Sequence, residues 1–166
     1  FNETLSKGQK ARIRWASCDM SRAYTEAIKH HCPNATLVID RFHLVKGLNQ
    51  AVDEVRKEQW RALDTQGRKA IKGLRWLLSM HSRHRTTGHT RFLNSLRPSN
   101  RRIHRAWVLK DEFEHFWTYR YRASAKTFLR RWMTAALRSR LPTLRTFVAT
   151  LRTHFTHILA FIDSPL

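Results

Sequence analysis

The sequence predicts a chain that is α/β at its start and mostly α thereafter. Three observations carry this. Residues 11–18 alternate polar and apolar, residues 36–39 form a β-branched run, and a helical stretch lies between them. Strand, helix and strand within about thirty residues make a βαβ unit. From Phe42 onward the apolar period changes to three and four, and it stays helical to the end. The change of architecture is expected near residue 65: a partial α/β core with one long helix over 1–65, then an all-α region over 66–166.

Each element has its own signal. Residues 1–10 are polar and basic, a loop or the tail of a helix. In 11–18, Ile13, Trp15 and Ser17 fall on one side of a strand, with Arg12, Arg14 and Ala16 on the other. Ser21 is a candidate cap for a helix over 22–32 with Tyr24, Ala27 and Ile28 inward, and Pro33-Asn34 ends it. The run Thr36-Leu37-Val38-Ile39 reads as a buried parallel strand. Val45, Leu48, Val52 and Val55 predict a helix from 42 to about 63. Residues 69–80 read as a helix through Ile71, Leu74, Leu77 and Leu78, and 81–91 as a polar loop. A short helix holds Phe92, Leu93 and Leu96 before Pro98. Ser99 or Asn100 caps the next, which aligns Ile103, Trp107, Lys110, Phe113 and Trp117. A further helix covers 125–138. After Pro142, apolar residues from Leu144 to Ile162 predict one helix of five turns.

Charge narrows the function. Among 166 residues, 32 Lys and Arg face 12 Asp and Glu, a formal net charge of +20. The excess is spread along the chain, which points to a polyanion, most directly DNA, as partner. No apolar run reaches membrane-spanning length, so no membrane role and a cytoplasmic location are expected. Two cysteines, Cys18 and Cys32, give no disulfide framework. They also lack the paired spacing of a zinc site, and neither Lys7-Gly8 nor Lys46-Gly47 belongs to a phosphate-binding glycine loop.

The chemistry gathers at the two strand ends. Asp19 follows the first strand and Asp40 the second, at the edge where α/β folds place their sites. A carboxylate there either ligates Mg²⁺ or caps a helix. His43, one turn past Asp40, can orient that carboxylate, touch phosphate or ligate a metal. The cations fall in clusters: Arg41 and Lys46 beside the second Asp, Arg83 and Arg85 in the polar loop, then Arg101, Arg102, Arg105, Arg130 and Arg131 on later helices. Arginine's planar fork suits phosphate. Trp60 and Trp76 are candidates for base stacking, although most aromatic residues have core spacing.

Four segments together are similar to a known family: Ser17-Cys18-Asp19-Met20-Ser21-Arg22-Ala23-Tyr24, Cys32-Pro33-Asn34-Ala35, Val38-Ile39-Asp40-Arg41-Phe42-His43-Leu44-Val45-Lys46, and Asn49-Gln50-Ala51-Val52-Asp53-Glu54-Val55-Arg56. They resemble the ISL-three family of bacterial insertion-sequence transposases, densely over 13–57. Looser matches follow at 106–113 and 161–164. The resemblance implies a DDE-type enzyme with a ribonuclease H-like core, in which three carboxylates hold two Mg²⁺ ions. It assigns the second carboxylate to Asp19 and the Asp-x-x-His signature to Asp40 and His43. It makes the helical region an insertion, and expects a homo-oligomer acting on DNA. It also places the first catalytic Asp before residue 1 and the Glu beyond Leu166, so the chain is expected to be a piece of a larger protein. Two functions follow: a fragment of an enzyme that cleaves and joins DNA strands, or a catalytically inactive, basic, helical remnant that binds nucleic acid.

Overall fold

The computed structural model describes residues 4–165. Ser6 and Gln9 form a reciprocal capping box, with Ser6 N–H donating to Gln9 Oε1 at 2.8 Å and Gln9 N–H to Ser6 Oγ at 3.3 Å. That box nucleates α1 (Lys7–Arg12), so residues 11 and 12 are helical and the strand is shorter than its alternation predicts. The expectation of a loop or helix tail over 1–10 resolves into this helix, except that residues 1–3 lie outside the described residues.

Strand β1 (Trp15–Cys18) pairs in parallel with β2 (Thr36–Ile39), in the register Trp15↔Thr36 to Cys18↔Ile39. The crossover helix α2 (Arg22–His31) makes the βαβ unit. Its orientation corrects the expected inward face. Tyr24 is 61% exposed and Ala27 is exposed, while Thr25 is buried and Ile28 half-buried. Thr25 Oγ1 donates to Ser21 O at 3.0 Å, and the Thr25 side chain acts on the Cys18 thiol of β1. Two strands offer too little surface to bury a full helix face.

Helix α3 (Arg41–Ala62) is the axis of the molecule, 22 residues long. At a rise of about 1.5 Å per residue it spans roughly 33 Å. Leu44, Leu48, Ala51, Val52 and Val55 are buried along one stripe. The segment expected as one helix over 69–80 is two, α4 (Thr65–Ala70) and α5 (Leu74–Ser79), parted by Gly73 at φ 81°. Part of the expected loop 81–91 is helix. A 3-10 turn covers Ser82–His84, and α6 (Thr87–Ser99) starts on a Thr86/His89 capping box and runs through Pro98. Then come α7 (Arg101–Phe113), α8 (Arg122–Arg138), α9 (Pro142–Thr153) and α10 (Phe155–Asp163). The last two were expected as one helix. His154, at φ −107° and ψ 17°, breaks them apart and redirects α10 onto β2.

One hydrophobic cluster runs from Ile39 through α3 to Leu159, crossing residue 65 without a gap. Helix α3 packs on α5, α7 and α9, and α8 packs on α7, α9 and α10. Phe113 lies at its centre, with ring centroids of Trp132 at 4.8 Å, Phe116 at 5.9 Å and Phe147 at 5.9 Å. Trp132 is buried and donates its indole N–H to Leu109 O at 2.8 Å, so the ring brings no unsatisfied polar atom into the core. Helix α10 packs on β2, and α3 leaves β2 directly at Asp40, which ties the C-terminal edge of the strands to the helical core.

Candidate functional site

Parallel pairing sets the geometry of the edge. Asp40 N–H donates to Cys18 O at 2.8 Å, which continues the ladder one step beyond Ile39. Asp19 and Asp40 therefore leave the same sheet edge on neighbouring strands, whose axes lie about 4.8 Å apart. Each carboxylate then turns its chain. Asp19 Oδ1 accepts Ser21 N–H at 2.9 Å, and Ser21 itself makes no side-chain cap. Asp40 Oδ1 accepts Phe42 N–H at 2.7 Å as the N-cap of α3, and its Oδ2 meets His43 Nδ1 at 2.9 Å.

These bonds separate the two acids chemically. Both oxygens of Asp40 are engaged. Asp19 keeps one oxygen without a hydrogen bond among the described residues. A hard cation such as Mg²⁺ is bound through one or two carboxylates with its remaining positions on water or phosphate. Asp19 fits that role as a single ligand. Among the described residues no group of three or more His, Cys, Asp or Glu is placed to hold a metal ion. At Cys18, next to Asp19, burial pushes the thiol pKa up, the Thr25 side chain works against that, and the Asp19 charge adds to the rise, so thiolate is disfavoured.

The cations divide into two sets. Four of the arginines singled out in the sequence, Arg101, Arg105, Arg130 and Arg131, line one open groove of about 1250 Å³ between α6–α7 and α8. Arg97 and Arg138, which the sequence reading did not single out as contacts, line it too. Glu112 is its one acidic lining residue, so six guanidinium groups face one carboxylate. Arg105 is anchored by a bond from Nη1 to Ser139 O at 2.8 Å. Burial and the charge of Arg97 lower the pKa of His104 on the same wall. No residue of the strand edge lines this groove.

The remaining cations lie elsewhere. Arg41 stacks on Trp117, 5.1 Å from its ring centroid. Lys46 is exposed on α3 beside a groove that also contains Asp53 and Glu54. Arg102 pairs with Glu58 at 3.0 Å, and Arg83 Nε donates to His84 Nε2 at 3.1 Å. Arg85 is set apart by burial. Its side chain is 4% exposed, paired with Asp111 through Nη2 and set over Trp107 at 5.3 Å, while Nε and Nη1 are buried without a hydrogen bond. Of the two stacking candidates, Trp76 is 63% exposed and T-stacked on His89, and Trp60 packs against the core.

One constellation went unnoticed in the sequence. Lys110, 3% exposed, donates to Met80 O at 2.7 Å and Glu114 Oε1 at 3.0 Å. Glu114 Oε2 accepts both the backbone N–H of Ser82 and its hydroxyl, at 3.1 and 2.7 Å. A Lys and a Glu four apart on an otherwise apolar helix face were the available signal.

No helix among the described residues is long and apolar enough to cross a membrane. No solved structure matches the chain. A transposase family model, that of the ISL-three DDE type, matches residues 1–166. The transposase of insertion sequence element IS1001 from Bordetella parapertussis is 33% identical over the whole chain, and the transposase of IS1557 from Mycobacterium tuberculosis is 24% identical. In each case the chain spans 42% of the relative's length. The family match over every residue and the 33% identity over the whole chain agree with the βαβ edge seen in the structure: this chain belongs to the ISL-three family of DDE-type insertion-sequence transposases.

Proposed function

We propose that the chain is the part of a DNA transposase that brings one metal-binding carboxylate and a cationic helical surface to the substrate. The carrying observation is the groove where six arginines face a single acid. Its lining matches a phosphodiester backbone, which arginine contacts bidentately. In this reading residues 1–65 are the partial ribonuclease H-like core and 66–166 the helical insertion. The intact enzyme acts as a homo-oligomer on insertion-sequence DNA.

Asp19 would ligate Mg²⁺, and Asp40 with His43 would shape the edge beside it. A bound Mg²⁺ supplies Lewis-acid polarisation of a phosphodiester oxygen. Asp40 holds the α3 N-terminus through Phe42 N–H, and it fixes the His43 ring against itself. For the isolated chain, DNA binding without cleavage is the favoured reading. Among the described residues two carboxylates lie at the edge, and both oxygens of Asp40 are engaged.

Two measurements test this. Mobility-shift titrations of the chain on duplex DNA at several salt concentrations should give a steep, sequence-independent slope. Replacing Arg130 and Arg131 by Ala should flatten that slope by about 2, since each phosphate contact contributes about 0.9. An unchanged slope would remove the groove from the interface. In a full-length family transposase carrying this segment, Asp19→Asn should abolish cleavage and leave DNA binding intact. Cleavage at the wild-type rate would leave Asp19 as the cap of Ser21 only.

A further inference from the structure

We infer that the cavity between the first turns of α3 and the far end of α7 receives the base of an unstacked DNA nucleotide. The cavity has a volume of about 430 Å³, within the range of small-molecule sites. Phe42, Val45, Leu48, Phe113 and Trp117 give it walls of rings and aliphatic chains. Asp40 also lines it, which joins it to the carboxylate edge.

Two residues of its walls each carry a polar atom with no partner. Asn49 Oδ1 and Trp117 Nε1 are both shut off from water and unbonded. One is an acceptor and the other a donor, and a buried group of either kind calls for its complement. Of the other polar residues at the cavity, Lys110 and Glu114 bond each other, Asp40 bonds Phe42 and His43, Ser79 donates to Trp76 O and His81 accepts Arg83 N–H, which leaves Arg41. A fitting ligand is therefore flat, presents a π-face to Trp117 and Phe42, and carries a donor and an acceptor on one edge. Nucleobases have that form. Small turns of the Asn49 amide and the Trp117 ring bring both atoms to such an edge.

Arg41 supplies the other half of a nucleotide site. Its guanidinium lies 5.1 Å from the Trp117 ring centroid and forms no ion pair with a carboxylate among the described residues. Arg41 is exposed and lines the cavity, so a phosphate attached to the bound base meets it. Phe42, 66% exposed, offers a second ring beside the same opening. A base taken here leaves its own strand next to Asp40. The inference rests on the DNA reading above and specifies which part of the substrate one side of the site would hold.

The test uses 2-aminopurine, whose emission falls when it stacks on an aromatic ring. The 166-residue chain is titrated with a duplex carrying the analogue in an unpaired bulge, with the same duplex fully paired, and with the free analogue nucleotide. Mobility shifts are recorded in parallel. The bulged duplex should be quenched on binding and the paired duplex should not. Val45→Trp, which fills the cavity, should abolish the quenching and weaken the bulged duplex about tenfold, the loss expected for one stacked base, with the paired duplex unaffected. Trp117→Phe keeps a ring and removes the N–H, and Asn49→Ala removes the acceptor. Each should reduce the preference for the bulge, and circular dichroism confirms that the variants fold. Equal quenching in wild type and Val45→Trp overturns the inference while the DNA reading survives. A response to the free nucleotide alone also overturns it, because the source is then not DNA. If neither duplex shifts at low salt, the DNA reading fails and the inference with it.

Discussion

Lys110 shows how much one buried charge can demand of its neighbours. It sits on the core face of α7, 3% exposed, and its ammonium is met by Met80 O and Glu114. Burial pushes the Glu114 pKa upward, but the Ser82 hydroxyl, Lys110 and the Ser82 N–H outweigh it, and the net shift is downward. Glu114→Gln leaves Lys110 buried against a neutral amide. It should destabilise the fold by about 3 kcal/mol, as breaking a buried pair does. Urea melts of the two proteins at pH 7 check this. The sign with pH follows from the depressed folded pKa. The Glu114 contribution is fully present above the unfolded value of 4.5 and is lost as pH falls through the lower folded value. The gap between wild type and Glu114→Gln should therefore narrow as pH falls below 4.5. The same scale shows what a sequence yields about a site. The places of Asp19, Asp40 and His43 at the strand ends were legible because a strand end announces itself locally. The fates of Lys110, Glu114 and Arg85 depend on partners some thirty residues away, such as Ser82 for Glu114 and Asp111 for Arg85, and no local pattern names those.

Elements in this chain begin and end at caps, and the caps explain where periodicity misled. Ser6/Gln9 and Thr86/His89 each start a helix in a stretch that reads as polar coil. Gly73 and His154 each interrupt an apolar period that continues on both sides. Hydrophobic spacing records which residues are buried, and it passes unchanged through a break that merely redirects the axis. The long helix α3 and the βαβ order were legible for the opposite reason: their signals are sustained or paired, and no cap competes with them. Asn100 tests this most directly. It closes α6 with its own N–H on Leu96 O at 2.6 Å and opens α7 by accepting Ile103 N–H on Oδ1 at 3.1 Å, while buried to 8% exposure. Asn100→Ala removes the cap and orphans a buried N–H. It should cost about 1–2 kcal/mol, at the upper end for an N-cap. Asn100→Asp keeps the acceptor and should lose less. Equal losses in the two variants would show that the side chain packs there without capping.

A molecule with a formal charge of +20 folds against its own repulsion, and its histidines set how that repulsion varies with pH. His81, His104, His154 and His157 all have lowered pKa values, with burial the largest cause in each. Nearby cations add to the effect: Arg83, Lys110 and Arg41 at His81, Arg97 at His104, and Lys29 and His154 at His157. Glu114 works the other way at His81. A His with a depressed folded pKa binds its proton more readily when unfolded. Acid therefore favours unfolding, and stability rises with pH as the solution passes up through the unfolded value of 6.5. The melting temperature should climb between pH 5.5 and pH 7.5, by about 2–4 °C for each kcal/mol gained. Salt divides the causes. Raising ionic strength shortens the reach of the arginines and lysines to about 3 Å at 1 M, so it should raise the melting temperature at either pH. Burial is not screened, so part of the pH dependence should persist at 1 M salt. Replacing both His154 and His157 by Asn should then remove much of what persists, because neither ring is exposed. A melting temperature that falls with rising pH, or a pH dependence that vanishes in salt, would assign the histidine shifts to surface charge and not to burial. Duplex DNA offers the same neutralisation as salt with more affinity. If the groove binds it, added DNA should raise the melting temperature most at low salt, where the molecule has most repulsion to lose.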